Sequence, residues 1–279
     1  MDNLNVQQER AEQALEYYKS AAVKFKLAKS WDDAAEAYIR CAKCEQAGDG
    51  GNAGEYYVEA ANMKKKNNTS EAIKYFEEAI QFFCKENRFG YAAKLKKQIA
   101  EIFEQDLETD LAIKAYEESA DLFFAENDQS SDYYNSKIKV ADLMTSKTDQ
   151  QVNYIEAIKI YEQVGYKYCE NKLLQGTAKN IFFKAALLYL CNDDSVGCGI
   201  ALEKFMDSCP PFNNTRQSKF LQELIKCFDE KNMEDFSTQC YEFNQIIPLD
   251  KWQVSVLNKI KEKMKSGEQV GVEGDGGIL

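Results

Sequence analysis

Histidine is absent from the 279 residues of this chain. Histidine is the commonest general base near neutral pH and a common metal ligand, so its absence excludes Ser-His-Asp catalysis, Cys-His catalysis and imidazole-zinc sites within this sequence. Proline occurs only 3 times, and no run of 18 apolar residues occurs anywhere. We therefore expect long uninterrupted helices and no membrane-spanning segment.

Positive charge is also scarce. Lys and Arg total 35 against 46 Asp and Glu, which gives a formal net charge of −11 and argues against nucleic-acid binding through general phosphate neutralisation. The 9 cysteines are odd in number and scattered, and residues 1–10 contain no apolar run that could serve as a signal peptide. We expect reduced thiols in a cytoplasmic protein that holds no cofactor or metal.

A short amphipathic pattern occurs three times, beginning at Glu71, Leu111 and Glu156. Each copy has a small residue, an aromatic residue four positions later and a small or apolar residue three positions after that: Ala72, Phe76, Ala79; Ala112, Tyr116, Ser119; Ala157, Tyr161, Val164. This spacing places the three side chains on one helix face. Such a face needs a similar neighbour, which a repeating sequence supplies by stacking. The neighbouring carboxylates are expected to face solvent: Glu77, Glu78, Glu117 and Glu118.

Alanines mark a longer repeat. They recur about every 20 residues at Ala14, Ala34, Ala53, Ala72, Ala92 and Ala112. A two-helix unit of about 40 residues is longer than a strict tetratricopeptide repeat but follows the same hairpin logic. Thr69 and Asn153 are the expected caps of two helices, and Gly48–Gly51 is an expected turn. The prediction is an all-α protein, a right-handed tetratricopeptide-like solenoid of helical hairpins capped by a C-terminal helical bundle.

The C-terminal third follows a different pattern. The repeat fades past Asn171, and Pro210 with Pro211 interrupts the helical spacing. Three helices are expected after the prolines, at residues 218–229, 233–245 and 250–264. The glycine-rich end is expected to be flexible. The predicted domains are a solenoid over residues 1–209, a bundle over 210–266 and a tail over 267–279.

Charge is distributed unevenly along the chain. Between Lys64 and Lys97 nine cations accompany four anions, whereas between Lys226 and Gln245 two cations accompany five anions. Chance clustering on a solvated surface is one explanation. The other is a basic face for one partner and an acidic end for another, because complementary potentials steer association.

Several stretches occur together in a distinctive order and spacing between about residue 11 and residue 266. They are Phe25–Trp31, Arg88-Phe89 with Ala92–Lys94, Ala157–Gly165, Ala178–Leu187, Leu249–Trp252 and Leu257–Lys261. In this combination the chain resembles the alpha-type soluble NSF attachment proteins, the SNAP adaptors of membrane fusion, more closely than the gamma type.

The resemblance implies an adaptor that is not an enzyme. Several copies of such a protein bind the four-helix SNARE bundle with a basic concave face, and their C-terminal ends recruit and stimulate the hexameric ATPase NSF, which disassembles the bundle during vesicle trafficking. It would be cytoplasmic and peripheral on membranes through its partners. The matching SNARE-binding positions are Lys65, Lys66, Arg88, Lys94, Lys139 and Lys179. The matching NSF-binding positions are Asp193, Asp229 and Glu230, with Ile278 and Leu279 as an apolar C-terminus.

The chain departs from the family pattern at several places. Asn135 replaces a SNARE-facing lysine, with Lys137 nearby, and Lys226 replaces an NSF-facing acid. The family's additional N-terminal helix and phenylalanine-rich membrane loop have no counterpart, since no Phe precedes Phe25. Fewer acidic residues precede the C-terminal leucine than in the family.

Two other functions compete with this interpretation. A generic tetratricopeptide-like scaffold or co-chaperone would need basic and Asn pairs on a 34-residue period, whereas the period here is nearer to about 40. A helical-toroid enzyme would need a convergent polar cluster, and the lack of histidine argues against one. The sequence predicts no catalytic residue.

Overall fold

The computed structural model describes residues 2–47, 51–127, 130–146 and 152–269. Within these ranges the chain is all-helical, with 13 α-helices, one 3-10 turn and no β-strand. The helices are α1 (Asp2–Leu27), α2 (Trp31–Ala47), α3 (Ala53–Lys64), α4 (Thr69–Lys85), α5 (Phe89–Gln105), α6 (Thr109–Glu126), α7 (Ser131–Ser146), α8 (Tyr154–Cys169), α9 (Gln175–Cys191), α10 (Ser195–Ser208), α11 (Arg216–Asp229), α12 (Met233–Ile246) and α13 (Lys251–Gln269). None of the helices in the described ranges is long and apolar enough to cross a membrane. Residues 48–50 of the predicted Gly48–Gly51 turn lie outside the described residues.

The chain divides into two compact units, Met1–Lys137 and Ile138–Leu279. In the first unit, each helix from α1 to α5 packs on the helix that follows it. In the second unit, α8 packs on α9, and α10, α11 and α13 also pack on α9. Packing between consecutive helices is what a solenoid of hairpins requires. The predicted domain boundary after residue 209 lies inside the second unit and stays a prediction.

The repeated pattern is the buried face of its helix in each of its copies. Ala72, Phe76 and Ala79 of α4 have no exposed surface, and the matching side chains of α6 and α8 are at most 1% exposed. The repeat alanines are also fully buried at Ala34, Ala53, Ala72, Ala92 and Ala112. Small side chains let neighbouring helices approach closely while the aromatic rings fill the space between them. The prediction of stacked helices is therefore confirmed.

Asparagine side chains cap two of the helices that begin a repeat. The side chain of Asn68 accepts a hydrogen bond from the backbone N–H of Glu71 at 3.1 Å, so Asn68 is the cap of α4. The predicted cap, Thr69, is instead the first helical residue; the prediction was wrong by one position because both residue types favour caps. Asn153 caps α8 as predicted, accepting from the backbone N–H of Glu156.

Five helices end in the same left-handed turn, and none of them uses glycine there. Lys29, Asn87, Leu107, Asp193 and Lys231 have φ between 55° and 61°. In each turn the next backbone N–H donates to the carbonyl five residues earlier, which is the hydrogen bond of a Schellman motif. Only glycine adopts this conformation without a steric penalty. These turns fix where each helix ends and the direction in which the chain continues.

Helix α9 is the centre of the second unit and is buried over most of its surface. Phe182 stacks on Phe205 of α10 with ring centroids 4.3 Å apart, and Phe183 stacks on Phe243 of α12 at 5.7 Å. The three predicted C-terminal helices are present as α11, α12 and α13. Because α13 continues to Gln269, the first residues of the predicted tail are helical, and residues 270–279 lie outside the described residues.

A polar network fastens α13 to the end of α7. The indole Nε1 of Trp252 donates to Thr145 Oγ1 at 2.9 Å, and Lys259 Nζ donates to the Thr145 carbonyl oxygen at 2.9 Å. Lys184 Nζ lies 4.8 Å above the Trp252 ring and 2.6 Å from the Asp142 carboxylate. These groups are largely removed from water, so the network holds α13 in one position.

Candidate partner-binding surfaces

Four of the nine cations between residues 64 and 97 are paired with carboxylates of the protein itself. The pairs are Lys64 with Asp32 and Glu71, Arg88 with Glu55 and Glu86, Lys96 with Glu77 and Glu118, and Lys97 with Asp132. The side chains of Lys64 and Lys96 are only 16% and 15% exposed. The count of nine cations therefore overstates the positive charge that this segment offers to a partner.

Glu77 and Glu118 are not purely solvated carboxylates, contrary to the sequence prediction. They lie 2.7 and 2.5 Å from Lys96 Nζ and are 39% and 41% exposed. Glu77 belongs to α4 and Glu118 to α6, so the lysine of α5 bridges three consecutive helices. This cluster stabilises the stack, and the sequence alone did not reveal it.

Lys65 and Lys66 lie exposed in the turn between α3 and α4. This turn adjoins the first turn of α2, because Asn67 Nδ2 donates to Asp32 Oδ2 at 3.2 Å. Within the described part of the chain neither lysine forms an ion pair. Both ammonium groups are therefore available to an external acidic partner.

Arg88 is held in place by its own protein. Its guanidinium nitrogens lie 3.2 Å from Glu55 and 3.3 Å from Glu86, and its side chain is 31% exposed. Its Cζ lies 4.7 Å from the centre of the Phe83 ring and 4.4 Å from that of Tyr91. Burial lowers the pKa of Arg88, but its hydrogen bonds to the two glutamates outweigh this and leave the pKa raised. Arg88 thus serves first to join α3 to the start of α5.

An open groove of about 560 Å³ lies between α3 and α5, with Phe83 of α4 among its lining residues. Its polar lining includes Arg88 directly before α5, Lys94 on α5 and Glu55 on α3. Lys94 is exposed, and its ammonium group lies 5.8 Å from the centre of the Tyr91 ring. No ion pair of Lys94 occurs within the described residues. Lys94 is therefore the cation of this groove that is best placed to meet a partner.

The two remaining predicted SNARE-binding cations belong to the second unit. Lys139 lies half-buried on α7, and Lys179 lies half-buried in the first turns of α9. Asn135, which replaces a family lysine, is exposed on α7, and Lys137 beside it is half-buried. Their assignment to a SNARE-binding surface stays a prediction.

The predicted NSF-facing carboxylates are exposed at one end of the second unit. Asp193 lies in the turn before α10, and Asp229 and Glu230 lie at the end of α11. Burial raises the pKa of Cys198 in α10, and the charges of Asp194 and Asp229 raise it further. Asp229 thus acts on a residue in the first turns of α10, and α10 packs on α11. We refer to Asp193, Asp194, Asp229 and Glu230 as the acidic end, and its role in NSF binding stays a prediction; Ile278 and Leu279 lie outside the described residues.

Sequence reasoning missed two features of these surfaces. Tyr91 is 56% exposed beside Lys94. The sequence indicates its exposure, because Tyr91 does not fall on the periodically spaced buried positions of α5. Glu55 restrains Arg88 from another helix, 33 residues away, and no local pattern predicts such a pair.

The family model of the soluble NSF attachment proteins (SNAP) matches residues 4–265, a range that contains both surfaces. The chain belongs to the soluble NSF attachment protein family. It is 36% identical over 271 residues to the beta-soluble NSF attachment protein of Bos taurus, covering 96% of this chain and 88% of that protein. It is 34% identical over 262 residues to the alpha-soluble NSF attachment protein of Mus musculus, covering 93% and 87%. A match to the Dictyostelium discoideum alpha protein, 38% identical over 183 residues, covers 66% of this chain and 61% of that one.

Among solved structures, the chain is similar to the crystal structure of BtubC from P. vanneervenii, with 15% identity and a TM-score of 0.41 over 76% of this chain and 93% of that one. The soluble NSF attachment proteins are adaptors and not enzymes, so family membership confirms the predicted absence of enzymatic activity. Membership also supports an adaptor role in vesicle fusion and confirms the resemblance found in the sequence.

Proposed function

We propose that this chain binds assembled SNARE complexes and recruits and stimulates NSF, which then disassembles them during vesicle trafficking. The observation that carries the proposal is the family match over residues 4–265, which spans both the α3–α5 groove and the acidic end. The protein would act in the cytoplasm, peripheral on membranes through its partners, with several copies on each SNARE complex. The family match favours this role over a generic tetratricopeptide-like scaffold.

The SNARE-facing surface would combine Lys94 of the α3–α5 groove with Lys65 and Lys66 of the turn that follows α3. A SNARE bundle is an acidic rod, so exposed cations can bind many such rods without reading their sequence. Each exposed ion pair contributes only about 0–1 kcal/mol, and salt weakens such pairs. Several copies on one rod then give avidity, because each additional contact becomes intramolecular.

Arg88 would support this surface by position more than by direct charge. Glu55 and Glu86 already compensate its guanidinium, so a SNARE carboxylate would have to compete with both. Its contacts with Phe83 and Tyr91 orient the ring that lies beside Lys94. Lys94 and Tyr91 would then make the direct contacts.

The acidic end would bind a basic surface of NSF through Asp193, Asp229 and Glu230. The backbone of Asp193 is held in the left-handed turn at the end of α9, and its side chain is exposed. Complementary charge of this kind raises the association rate and sets orientation more than it raises affinity. Stimulation of the ATPase would depend on the apolar C-terminus at Ile278 and Leu279.

Charge reversal of Lys66 and Lys94 to glutamate tests the SNARE-facing surface. We expect the double variant to lose binding to an immobilised SNARE complex while its circular dichroism and melting temperature stay unchanged, because both side chains are exposed. Lys74→Glu is the matched control, since Lys74 is an exposed lysine of α4 that forms no ion pair within the described residues. SNARE binding by the double variant equal to that of the control would refute the assignment.

A further inference from the structure

Two apolar side chains of α10 face solvent beside the acidic end. Val196 is 73% exposed and Ile200 is 51% exposed. They are four residues apart and therefore lie on one helix face. The buried residues of α10, Cys198, Ala201, Leu202 and Phe205, occupy its other side, and the helix packs on α9 and α11. The exposed pair therefore lies outside the buried core of the second unit.

Gly199 lies beside these two side chains and leaves the helix backbone uncovered there. A Cβ atom built on Gly199 would have no heavy atom within 4 Å, so packing inside the protein does not require glycine there. Alanine at this position would increase the equilibrium constant for helix formation roughly fivefold, which is the propensity difference between alanine and glycine. Gly197 differs, since its Cβ would collide with the Asp194 carboxylate that caps α10. A glycine at Gly199 lets an external molecule approach the helix backbone closely.

The charges around the pair favour one kind of occupant. Five carboxylates lie near the pair or at this end of the unit, Asp193, Asp194, Glu203, Asp229 and Glu230, against the three ammonium groups of Lys204, Lys226 and Lys231. A second copy of the chain docked through this same surface would bring like charges together, and the anionic surface of a membrane would be repelled. A protein surface that is basic at its rim and apolar at its centre fits both the charge and the exposed side chains.

We infer that Val196, Gly199 and Ile200 form the apolar centre of the NSF-binding surface and accept an apolar side chain from the basic face of NSF. This inference rests on the proposed function, which assigns the acidic end to NSF. The carboxylates at the rim would steer the encounter, and the desolvated centre would supply most of the affinity, as is usual at protein interfaces.

The test compares NSF binding by the full chain and by the double variant Val196→Ser, Ile200→Ser. Serine has nearly the same helix propensity as valine and isoleucine, and both sites are exposed, so the variant should fold. We expect its affinity for purified NSF, measured by biolayer interferometry, to fall about thirtyfold, the smallest change that defines an interface hot spot. Leu173→Ser is the matched control, because Leu173 is 90% exposed in the turn between α8 and α9.

The salt dependence of NSF binding distinguishes the apolar contribution to the affinity from the electrostatic contribution. The loss caused by the serine variant should persist between about 0.05 and about 0.5 M salt, whereas the loss caused by Asp229→Asn should shrink as screening increases. If the serine variant and the Leu173 control bind NSF equally well while Asp229→Asn binds more weakly, the inference is overturned and the proposed function stands. If the unmodified chain does not bind NSF at all, the proposed function fails and the inference fails with it.

Discussion

Replacing Lys96 by methionine should destabilise the first unit, whereas the same change at Lys94, two residues earlier on α5, should not. Lys96 Nζ lies 2.7 Å from Glu77 and 2.5 Å from Glu118, and its side chain is 15% exposed. Lys94 is exposed and has no ion pair within the described residues. The two variants therefore test the assignment of Lys96 as a cation that stabilises the fold and of Lys94 as a cation that faces a partner.

The size of the effect follows from the environment of the two glutamates. Breaking a fully buried ion pair costs about 3–5 kcal/mol, whereas exposed pairs contribute about 0–1 kcal/mol. Glu77 and Glu118 are 39% and 41% exposed, so water can hydrate them after the lysine is lost. We expect Lys96→Met to lower the free energy of unfolding by about 2 kcal/mol and the melting temperature by about 6 °C. Lys94→Met should stay within about 0.5 kcal/mol of the unmodified chain.

Urea titration followed by circular dichroism measures both changes. The triple variant Glu77→Gln, Lys96→Met, Glu118→Gln should recover about 1 kcal/mol, because it removes the two uncompensated carboxylates. Burial lowers the pKa of Lys96, but its hydrogen bonds to Glu118 and Glu77 outweigh this and raise it above its ordinary value of 10.5. The contribution of Lys96 is thus complete below pH 10.5 and is lost as the pH rises through the raised pKa. Equal stability of the Lys96 and Lys94 variants at neutral pH would refute the reasoning.

Three further changes test particular contacts by thermal unfolding. Trp252→Phe removes the hydrogen bond to Thr145 and weakens the ring contact with Lys184, so it should lower the free energy of unfolding by about 2 kcal/mol. A loss below about 0.5 kcal/mol would mean that the network does not hold α13. Gly165→Ala places a Cβ 2.5 Å from Cε1 of the fully buried Phe182 and should lower the free energy of unfolding by about 1–3 kcal/mol. An unchanged melting temperature would contradict this packing. Leu107→Gly relieves a left-handed φ of 61° at a side chain that is 85% exposed and should stabilise the protein by about 1 kcal/mol; destabilisation would show that Leu107 has a packing role.

The helical stack was predictable because its signal is local. The pattern Ala72, Phe76, Ala79 fits within two turns of one helix, and burial of that face follows from its composition alone. Capping signals are local too, although Asn68 and Thr69 are both good caps and the sequence could not rank them.

The pairing of charges was not predictable, because the partners come from different helices. Lys64 meets Asp32 across 32 residues, and Lys96 meets Glu118 across 22. A count along the sequence therefore places Lys96 and Lys94 in one basic cluster, although the first stabilises the stack and only the second faces the groove. The left-handed conformation at the helix ends was not predicted for a different reason. Glycine usually occupies this position, and a non-glycine residue such as Leu107 does not indicate it.

The most direct test of the proposed adaptor function is ATP-dependent disassembly of a purified SNARE complex by NSF in the presence of this protein. We predict that the full chain accelerates disassembly, that Lys66→Glu with Lys94→Glu abolishes the acceleration, and that removal of Ile278 and Leu279 lowers it while SNARE binding is retained. Disassembly no faster than with NSF and ATP alone would contradict the account.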